Sequence, residues 1–376
     1  MGKRLSRCAR CVECVEDQED KMITGAVEAQ KETVEEVATA TPTSSDRTTI
    51  LDADPVAEVR LHQHSLINRF IPHPSARFVL MGASGLYEPV ILETIIGLTG
   101  KDKPTVLYIG TASYDAKKWR NFQVAPFADR GCSVIALSVT DSTPSAEEIC
   151  HAFNQADIIM FSFGNTLFGV DRASRFGIKD YLQQAMERGV VLCGGSTGAI
   201  CWFDGGHSNS SDPASYRHPS DTDARRERSW EYIRAPGFGL LPGIFCPHHD
   251  SSDSYGLQRA LDFEAMLLRH PGETGICVDD WAALVINGER FCVVNVEGKP
   301  GSVMGNSVIG QDGSPRLSLK RLGRPGAWRK WVRSNIVICE LVPRSGKVED
   351  LLVPASEVVQ DANLERLRSE NPSDVP

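Results

Sequence analysis

The sequence contains no long apolar run and no excess of positive charge. No segment approaches the roughly 20 uninterrupted apolar residues that a membrane-spanning helix needs, and the amino terminus has no apolar stretch that could serve as a secretory signal. The formal net charge is -9 over 376 residues, which gives no general attraction to nucleic acid. These absences predict a mildly acidic globular protein that stays in the cytoplasm and binds no nucleic acid.

Cysteine is too sparse for a disulfide scaffold, since the whole chain contains 11. Several lie inside apolar segments, where a thiol behaves as a small hydrophobic side chain: Cys193, Cys201, Cys246, Cys277, Cys292 and Cys339. The core region also lacks a suitably spaced cysteine pair for zinc. We therefore expect reduced cysteines and no zinc site.

Aromatic side chains are almost absent from residues 15–60, which are rich in Glu, Asp, Thr, Ser and Ala. Such a segment cannot bury enough surface to offset the entropy of ordering it. The composition changes near residue 75. This change predicts a disordered extension over residues 1–75, a folded domain over residues 76–345, and a weak helix with a frayed tail over residues 346–376.

From residue 76, short apolar runs alternate with helical segments. The runs are "RFVLMG", "TVLYIG", "SVIALSV", "DIIMFSFG" and "VVLCGG". Nearly continuous apolar strands with helices between them predict a parallel sheet that is covered on both faces, and hence an α/β fold. After Gly275 the runs become closely spaced and are joined by turns such as Asn287-Gly288, which predicts antiparallel hairpin strands that extend or flank the sheet.

The segment "GGSTG" at residues 194–198 fits the pattern of a strand-to-helix turn that displays a serine. Glycines permit the tight backbone of such a turn, and the amide groups of the following helix point at the serine. Ser196 is therefore a candidate nucleophile. The alternative is a strand-helix junction that needs only small residues.

A serine nucleophile needs a base and a group that orients the base. His248 and His249 lie where an apolar strand stops at a proline and gives way to a polar loop, which is typical of an active site at the carboxyl ends of strands. Asp279 and Asp280 end a later strand and should point to opposite faces, so only one can face the histidine. A paired aspartate can also simply begin a turn.

Taken together, these stretches resemble the peptidase S51 family, which includes aspartyl dipeptidases (peptidase E) and cyanophycinase. The matching blocks are "VLYIGTASYD", "FGNT", "GGSTGA", "GLLPGIFCPHHD" and "GICVDDWAAL", and the resemblance covers about residues 76–345. It implies a class I glutamine-amidotransferase-like core, with a flavodoxin-like, doubly wound, mostly parallel sheet and flanking antiparallel strands. It also implies a serine-dependent hydrolase with the chain order Ser, His, acid, which needs no metal and no organic cofactor.

The resemblance assigns roles by position. Ser196 matches the nucleophile of the family and His248 its general base. Asp280 is the expected third member, although the best-known dipeptidases have a glutamate there, and Asp279 stays open. The amides of Thr197 and Gly164 are expected to form the oxyanion hole.

The resemblance implies short peptides with an amino-terminal aspartate as substrates. Such a substrate requires a cationic or amide-lined pocket, for which the candidates are Arg172, Arg175 and Arg217. Asn165 is expected to brace the "FGNT" loop beside the substrate, or to be a plain turn residue. Two alternatives stay open: a cyanophycinase-like hydrolase of β-aspartyl-arginine linkages, and a non-catalytic member of the fold that binds a small metabolite.

The first residues, "MGKRLS", match the pattern for acylation of Gly2. Basic residues follow, and Cys8 is available for a second lipid. One acyl chain binds membranes only marginally, so the basic cluster or the second lipid would be needed for stable anchoring. The motif predicts peripheral membrane attachment of an otherwise cytoplasmic protein, and a chance match is the alternative. The oligomeric state cannot be read from the sequence.

Overall fold

The structure is a computed structural model. It describes residues 72–83, 88–218, 230–270, 272–301, 314, 316–322, 329–333, 336–341 and 343–352. The predicted extension up to residue 71, with Gly2 and Cys8, lies outside the described residues, as does the tail after residue 352. No helix in the described ranges is both long and apolar enough to cross a membrane.

The described chain alternates strands and helices, as the sequence predicts. The strands are β1 (Arg77–Met81), β2 (Thr105–Ile109), β3 (Ser133–Leu137), β4 (Ile158–Phe161), β5 (Val191–Gly195), β6 (Phe203–Ser208), β7 (Ile233–Pro236), β8 (Leu241–Cys246), β9 (Gly275–Val278), β10 (Ala282–Asn287), β11 (Arg290–Asn295), β12 (Leu317–Leu322), β13 (Arg329–Arg333), β14 (Ile336–Leu341) and β15 (Ser345–Lys347). The helices are α1 (Pro89–Thr99), α2 (Lys117–Asp129), α3 (Ala146–Gln155), α4 (Thr166–Ser174), α5 (Ile178–Glu187), α6 (Thr197–Ile200), α7 (Arg259–Arg269) and α8 (Val348–Leu351). The five strands predicted before residue 200 are all confirmed.

The first sheet has the strand order β15-β11-β10-β1-β5-β4-β2-β3. Five strands are parallel to one another: β1, β5, β4, β2 and β3. Strands β10, β11 and β15 add an antiparallel edge next to β1. The order β3-β2-β4-β5 is that of a flavodoxin-like sheet, with β1 in the next position. The predicted fold class is confirmed.

The chain leaves β2 toward β3 on one side and then returns to β4 on the other side of β2. The order of the parallel strands therefore reverses between β2 and β4. In open α/β sheets, ligands bind beyond the carboxyl ends of the strands at such a switch point. The residues that follow β4 and β5 lie at this edge of the sheet.

Both faces of the first sheet are buried. Phe78 and Leu80 of β1 contribute to one apolar cluster, whereas Val79 and Met81 contribute to the other. Since alternate residues of a strand point to opposite faces, this division shows that the sheet is covered on both sides. The first of these clusters also contains Phe245 of β8, so the second sheet packs against that face.

The second sheet has the order β13-β14-β12-β9-β8-β6-β7, with β6, β8 and β9 parallel to one another. It revises the prediction for the strands after Gly275. Among the described strands after Gly275, β10, β11 and β15 extend the first sheet, while β9 and β12 to β14 belong to the second. Helix α7 covers the outer face of the second sheet with Phe263, Met266 and Leu267.

Two further predictions need correction. The predicted domain boundary at residue 345 falls inside β15. The folded domain continues to at least Leu352, because the apolar side chains of Val348, Leu351 and Leu352 are buried in the core. Cys292 is exposed, whereas Cys193, Cys201, Cys246 and Cys277 are buried, and all of these are free thiols.

Candidate active site

Ser196 occupies a sharp turn between β5 and the short helix α6. Its backbone has φ 53° and ψ -119°, a conformation that a residue with a side chain adopts only when its surroundings hold it there. A Cβ on Gly194 would lie 2.4 Å from the Gly198 carbonyl oxygen, and one on Gly198 would lie 2.2 Å from that of Phe161. Glycine is therefore required on both sides of Ser196, as in turns that display a serine nucleophile.

The end of β1 brings Ser196 and His248 to the same place. The Ser196 amide donates to the Met81 carbonyl (3.3 Å), and the His248 amide donates to the next carbonyl, that of Gly82 (3.2 Å). A Cβ on Gly82 would lie 2.1 Å from the Asp279 carbonyl oxygen. The segment after β9 can therefore approach β1 only because residue 82 is glycine. The serine, the histidine and the aspartate segment meet at Met81, the last residue of β1, and at Gly82, which follows it.

His248 and Asp280 form a close pair. His248 Nδ1 lies 2.6 Å from Asp280 Oδ1, and the two side chains are 26% and 28% exposed, so solvent reaches them. The Ser251 hydroxyl donates to Asp280 Oδ2 at 2.7 Å. Burial works to raise the pKa of Asp280, but the hydrogen bonds and charge of His248, together with the Ser251 hydrogen bond, hold that pKa below its usual value.

The ionised carboxylate of Asp280 can only accept a hydrogen bond. The proton between the two groups therefore resides on His248 Nδ1. Whenever the imidazole is neutral, its lone pair is therefore on Nε2, which is the nitrogen that can act as a base.

Asp250 supports this pair through the backbone. Its Oδ1 accepts the Asp280 amide at 2.8 Å. Burial, followed by repulsion from the Asp279 carboxylate, raises the pKa of Asp250 to about 6. Asp250, Asp279 and Asp280 therefore lie close enough to repel one another. The raised pKa of Asp250 favours its neutral form, which reduces this repulsion.

Asp279 faces a different histidine. His249 Nδ1 lies 3.4 Å from Asp279 Oδ1, and both side chains are fully buried. Asp279 Oδ2 accepts the Arg316 amide at 3.1 Å, which ties the end of β9 to the residue before β12. Asp279 therefore links secondary-structure elements, whereas Asp280 contacts the histidine that solvent reaches.

Gly164 and Thr197 present two amide groups at the carboxyl edge of the first sheet. Gly164 has φ 130°, and a Cβ there would lie 2.2 Å from the Ala112 carbonyl oxygen, so only glycine fits. The Thr197 hydroxyl donates to the Gly164 carbonyl at 2.5 Å and ties the two residues together. Neither amide has a backbone acceptor within the described part of the chain, so both N–H groups can serve an oxyanion.

Asn165 is occupied by the protein itself. Its Oδ1 caps α4 by accepting the Phe168 amide at 3.0 Å, while Nδ2 donates to the Ser210 carbonyl at 3.0 Å and to the Ser215 hydroxyl at 2.9 Å. The residue is buried. These contacts agree with a brace for the "FGNT" loop and give no support to a direct contact with substrate.

The arginines predicted to bind substrate are engaged elsewhere. Arg172 donates to the Val139 carbonyl at 2.7 Å. Arg175 forms an exposed ion pair with Asp171, and Arg217 donates to exposed Asp141 at 2.8 Å. No described contact directs these guanidinium groups toward Ser196, and their assignment to the substrate stays a prediction.

A cavity of about 370 Å³ opens beside His248. Its walls are Asn209, Asp212, Trp230, Tyr232, His248, Ser251, Ser252, Asp253, Ser254 and Arg259. Arg259 is 7% exposed, donates to the His207 carbonyl at 2.7 Å, and lies over the Tyr232 ring at 4.7 Å. Its Nε is buried and has no hydrogen-bond partner among the described residues. Arg259 thus brings a positive charge to the wall of the cavity.

Sequence reasoning missed Arg259, although a signal was present. The buried stripe of α7 consists of Arg259, Phe263, Met266 and Leu267, spaced as one face of a helix. A buried arginine is rare without a partner, so an arginine in an apolar stripe marks a site that needs its charge. Asp250 and Ser251 carry no comparable signal, because they read as ordinary residues of a polar loop.

The described residues contain no cluster of three or more His, Cys, Asp or Glu side chains that could hold a metal ion. The site consists of a strained turn with a partly buried serine, a histidine-carboxylate pair, two amide donors and a cavity with a cationic wall. This set can activate a hydroxyl, stabilise an oxyanion and bind an acidic group.

Comparisons with known proteins point to one family. The model for peptidase family S51 matches residues 78–294, more than half of the chain. A Trypanosoma brucei brucei protein named G2/mitotic-specific cyclin-1 is 30% identical over 308 residues, covering 72% of this chain and 85% of that protein. The Bacillus subtilis (strain 168) protein named uncharacterized peptidase YgaJ is 26% identical over 224 residues, covering 58% of this chain and 87% of that protein.

Two solved structures are also similar. A peptidase from an acI-B1 Actinobacterium is 19% identical with a TM-score of 0.46, covering 59% of this chain and 88% of its own. A Listeria monocytogenes EGD-e structure described as a peptidase E protein is 15% identical with a TM-score of 0.42, covering 59% of this chain and 99% of its own.

Proposed function

The chain belongs to peptidase family S51, and on that premise we propose that it is a serine peptidase with Ser196 as nucleophile, His248 as general base and Asp280 as the carboxylate that orients the base. The observation that carries the proposal is the meeting of the strained Ser196 turn and the His248-Asp280 pair at the consecutive carbonyls of Met81 and Gly82, at the end of β1. Nucleophile, base and orienting group are the three parts that such catalysis requires.

In the proposed reaction, His248 Nε2 takes the Ser196 proton as Oγ bonds to the scissile carbonyl carbon. The carbonyl oxygen becomes an oxyanion that accepts hydrogen bonds from the amides of Thr197 and Gly164, each worth about 3 to 4 kcal/mol in other serine enzymes. The imidazolium, stabilised by Asp280, then protonates the leaving amine. The C–N bond breaks and leaves an acyl-enzyme. Water, with His248 again as base, releases the acid.

The cavity beside His248 supports a substrate with an acidic group. Arg259 lines this cavity and is 7% exposed, so its positive charge is poorly screened by solvent. A carboxylate is the complement of such a guanidinium. Asp212 in the same cavity adds negative charge that favours an amino group. We therefore propose short peptides with an amino-terminal aspartate as the substrate class.

The test is a panel of Asp-X, Asn-X and Glu-X dipeptides and β-aspartyl-arginine, assayed with the parent protein and Arg259→Met. We expect the parent to prefer Asp-X, and Arg259→Met to lose about 100-fold in kcat/KM for Asp-X with little change for Asn-X, because the lost pair is charge-assisted and buried.

Arg130→Met is the matched control, since Arg130 forms only an exposed ion pair with Glu93 on the protein surface. It should behave as the parent. A preference for β-aspartyl-arginine would favour the cyanophycinase-like alternative, and equal losses of Asp-X and Asn-X hydrolysis in Arg259→Met would remove Arg259 from substrate recognition.

A further inference from the structure

A chain of buried hydroxyl groups runs from the start of α4 to Gly164. The contacts are Ser210 Oγ to Ser208 Oγ at 2.7 Å, Ser208 Oγ to Thr166 Oγ1 at 2.9 Å, Thr166 Oγ1 to Thr197 Oγ1 at 3.0 Å, and Thr197 Oγ1 to the Gly164 carbonyl oxygen at 2.5 Å. All four hydroxyl-bearing residues are at most 3% exposed. Solvent therefore does not compete for these hydrogen bonds.

The direction of every hydrogen bond in the chain is determined. A carbonyl can only accept, so the single hydroxyl proton of Thr197 goes to Gly164. Thr166 must then donate to Thr197, Ser208 to Thr166, and Ser210 to Ser208. Ser210 Oγ accepts the amides of Thr166 (2.8 Å) and Leu167 (3.2 Å). The chain has no spare proton, and each hydroxyl both donates and accepts.

The chain ends on the two residues proposed to form the oxyanion hole. Thr197 supplies one amide and Gly164 supplies the other. The Thr197 hydroxyl also donates to the Gly164 carbonyl and so links the two residues. The opposite side of Gly164 lies against Ala112, whose carbonyl accepts the Asn165 amide at 2.9 Å. The Gly164–Asn165 peptide group is thereby fixed at both its N–H and its C=O.

We infer that Thr166, Ser208 and the Thr197 hydroxyl are positioning residues that set the spacing between the Thr197 and Gly164 amides. This inference rests on the proposed function. Oxyanion donors act because they are held in place before the reaction, at about 2.7 to 3.1 Å from the oxygen that becomes charged. A directional chain of buried hydrogen bonds provides such rigidity, since no member can rotate without breaking two bonds.

Thr197→Val and Thr166→Val test the inference, because valine keeps the shape of threonine and removes the hydroxyl. With the best Asp-X substrate of the panel, we expect kcat to fall about tenfold or more in Thr197→Val and several-fold in Thr166→Val, since a displaced oxyanion donor acts only on the transition state. KM and the pH profile of kcat should stay unchanged, because neither the Arg259 cavity nor His248 is altered. Thr197→Ser and Thr166→Ser keep the hydroxyl and should retain most of the parental kcat.

Thr274→Val is the matched control, because Thr274 is equally buried and its hydroxyl has no hydrogen-bond partner among the residues that the structure describes. Thr274 precedes β9, whereas Asp279 follows it, so the two residues lie at opposite ends of this strand. Thr274→Val should therefore retain the parental kcat. Parental kcat in both Thr197→Val and Thr166→Val, or a loss that the serine variants do not restore, would overturn the inference. Full activity of Ser196→Ala, measured in the same series, would instead contradict the proposed function.

Discussion

Asp279 and Asp280 are neighbours in the chain but contact different histidines, so their substitution should have different effects. Asp280→Asn removes the charge that orients and stabilises the His248 imidazolium, and we expect kcat to fall about a thousandfold or more. Asp279→Asn alters a buried link between β9 and β12. It should lower the unfolding midpoint and reduce kcat by less than about tenfold, since it does not touch the base.

Steady-state kinetics on both variants, with urea unfolding as a measure of stability, separates these expectations. A larger loss of kcat in Asp279→Asn than in Asp280→Asn would transfer the orienting role to Asp279.

Asp250 should make the stability of the protein depend on pH. Its pKa is about 6 in the folded protein, against an ordinary value of 3.8. Because the folded value is the higher one, the folded state binds this proton more tightly, and stability is lost as the pH rises from about 4 through 6. Asp250→Asn abolishes this titration and keeps an oxygen that can accept the Asp280 amide.

The free energy of unfolding of Asp250→Asn relative to the parent should therefore increase by about 2 kcal/mol between pH 4 and pH 7.5, which is less than the full pKa shift corresponds to because solvent reaches Asp250 and the unfolded carboxyl is already partly ionised at pH 4. Urea unfolding of both proteins at these two pH values gives the difference. A difference that is constant with pH would show that Asp250 ionises normally.

Residues whose chemistry is tied to a local pattern can be named from the sequence. Ser196 stands in a glycine-bounded turn, His248 follows a strand that stops at a proline, and Asp280 follows another strand. Arg259 and the hydroxyl chain cannot be found in this way, because their neighbours come from distant parts of the chain. Thr166 and Ser208, for example, are 42 residues apart and meet only because the first residue of α4 lies beside the last residue of β6.

The turn between β5 and α6 depends on glycine more strictly than its motif alone indicates. Gly198 lies so close to β4 that an added Cβ would meet the Phe161 carbonyl at 2.2 Å, and backbone atoms cannot move aside cheaply. Gly198→Ala should lower the free energy of unfolding by about 3 kcal/mol and displace Ser196.

Gly97→Ala is the matched control for this prediction. Gly97 is exposed in α1, and an added Cβ meets no atom within 4 Å. Alanine is the better helix former, so this variant should gain up to about 1 kcal/mol. Thermal or urea unfolding measures both. Parental stability in Gly198→Ala would show that the turn has more room than the close contact implies.

Strands can be predicted from the sequence more readily than the sheet to which each belongs. The runs over β9 and β10 are equally apolar and only three residues apart. Their local patterns do not reveal that β9 pairs with β8 in the second sheet, while β10 pairs with β1 in the first. The connection through residues 279–281 crosses between the sheets, and this crossing is what separates Asp279 from Asp280.

At the scale of the molecule, the parallel sheet determines where chemistry can occur. The carboxyl ends of β1, β4 and β5 gather Gly82, Gly164 and Ser196 at one edge, and the second sheet contributes His248 and Asp280 from β8 and β9. The alternation of apolar strands and helices predicts the first sheet. The predicted acylation of Gly2 and the extension that carries it lie outside the described residues and stay predictions.

The central claim is that one serine carries the reaction, and Ser196→Ala tests it most directly. The parent, Ser196→Ala and the surface control Ser133→Ala are compared on whichever substrate of the panel the parent cleaves fastest. We expect kcat/KM to fall about a thousandfold or more in Ser196→Ala, with an unchanged melting temperature, while Ser133→Ala keeps parental activity. Hydrolysis by Ser196→Ala within tenfold of the parent would contradict the proposed mechanism.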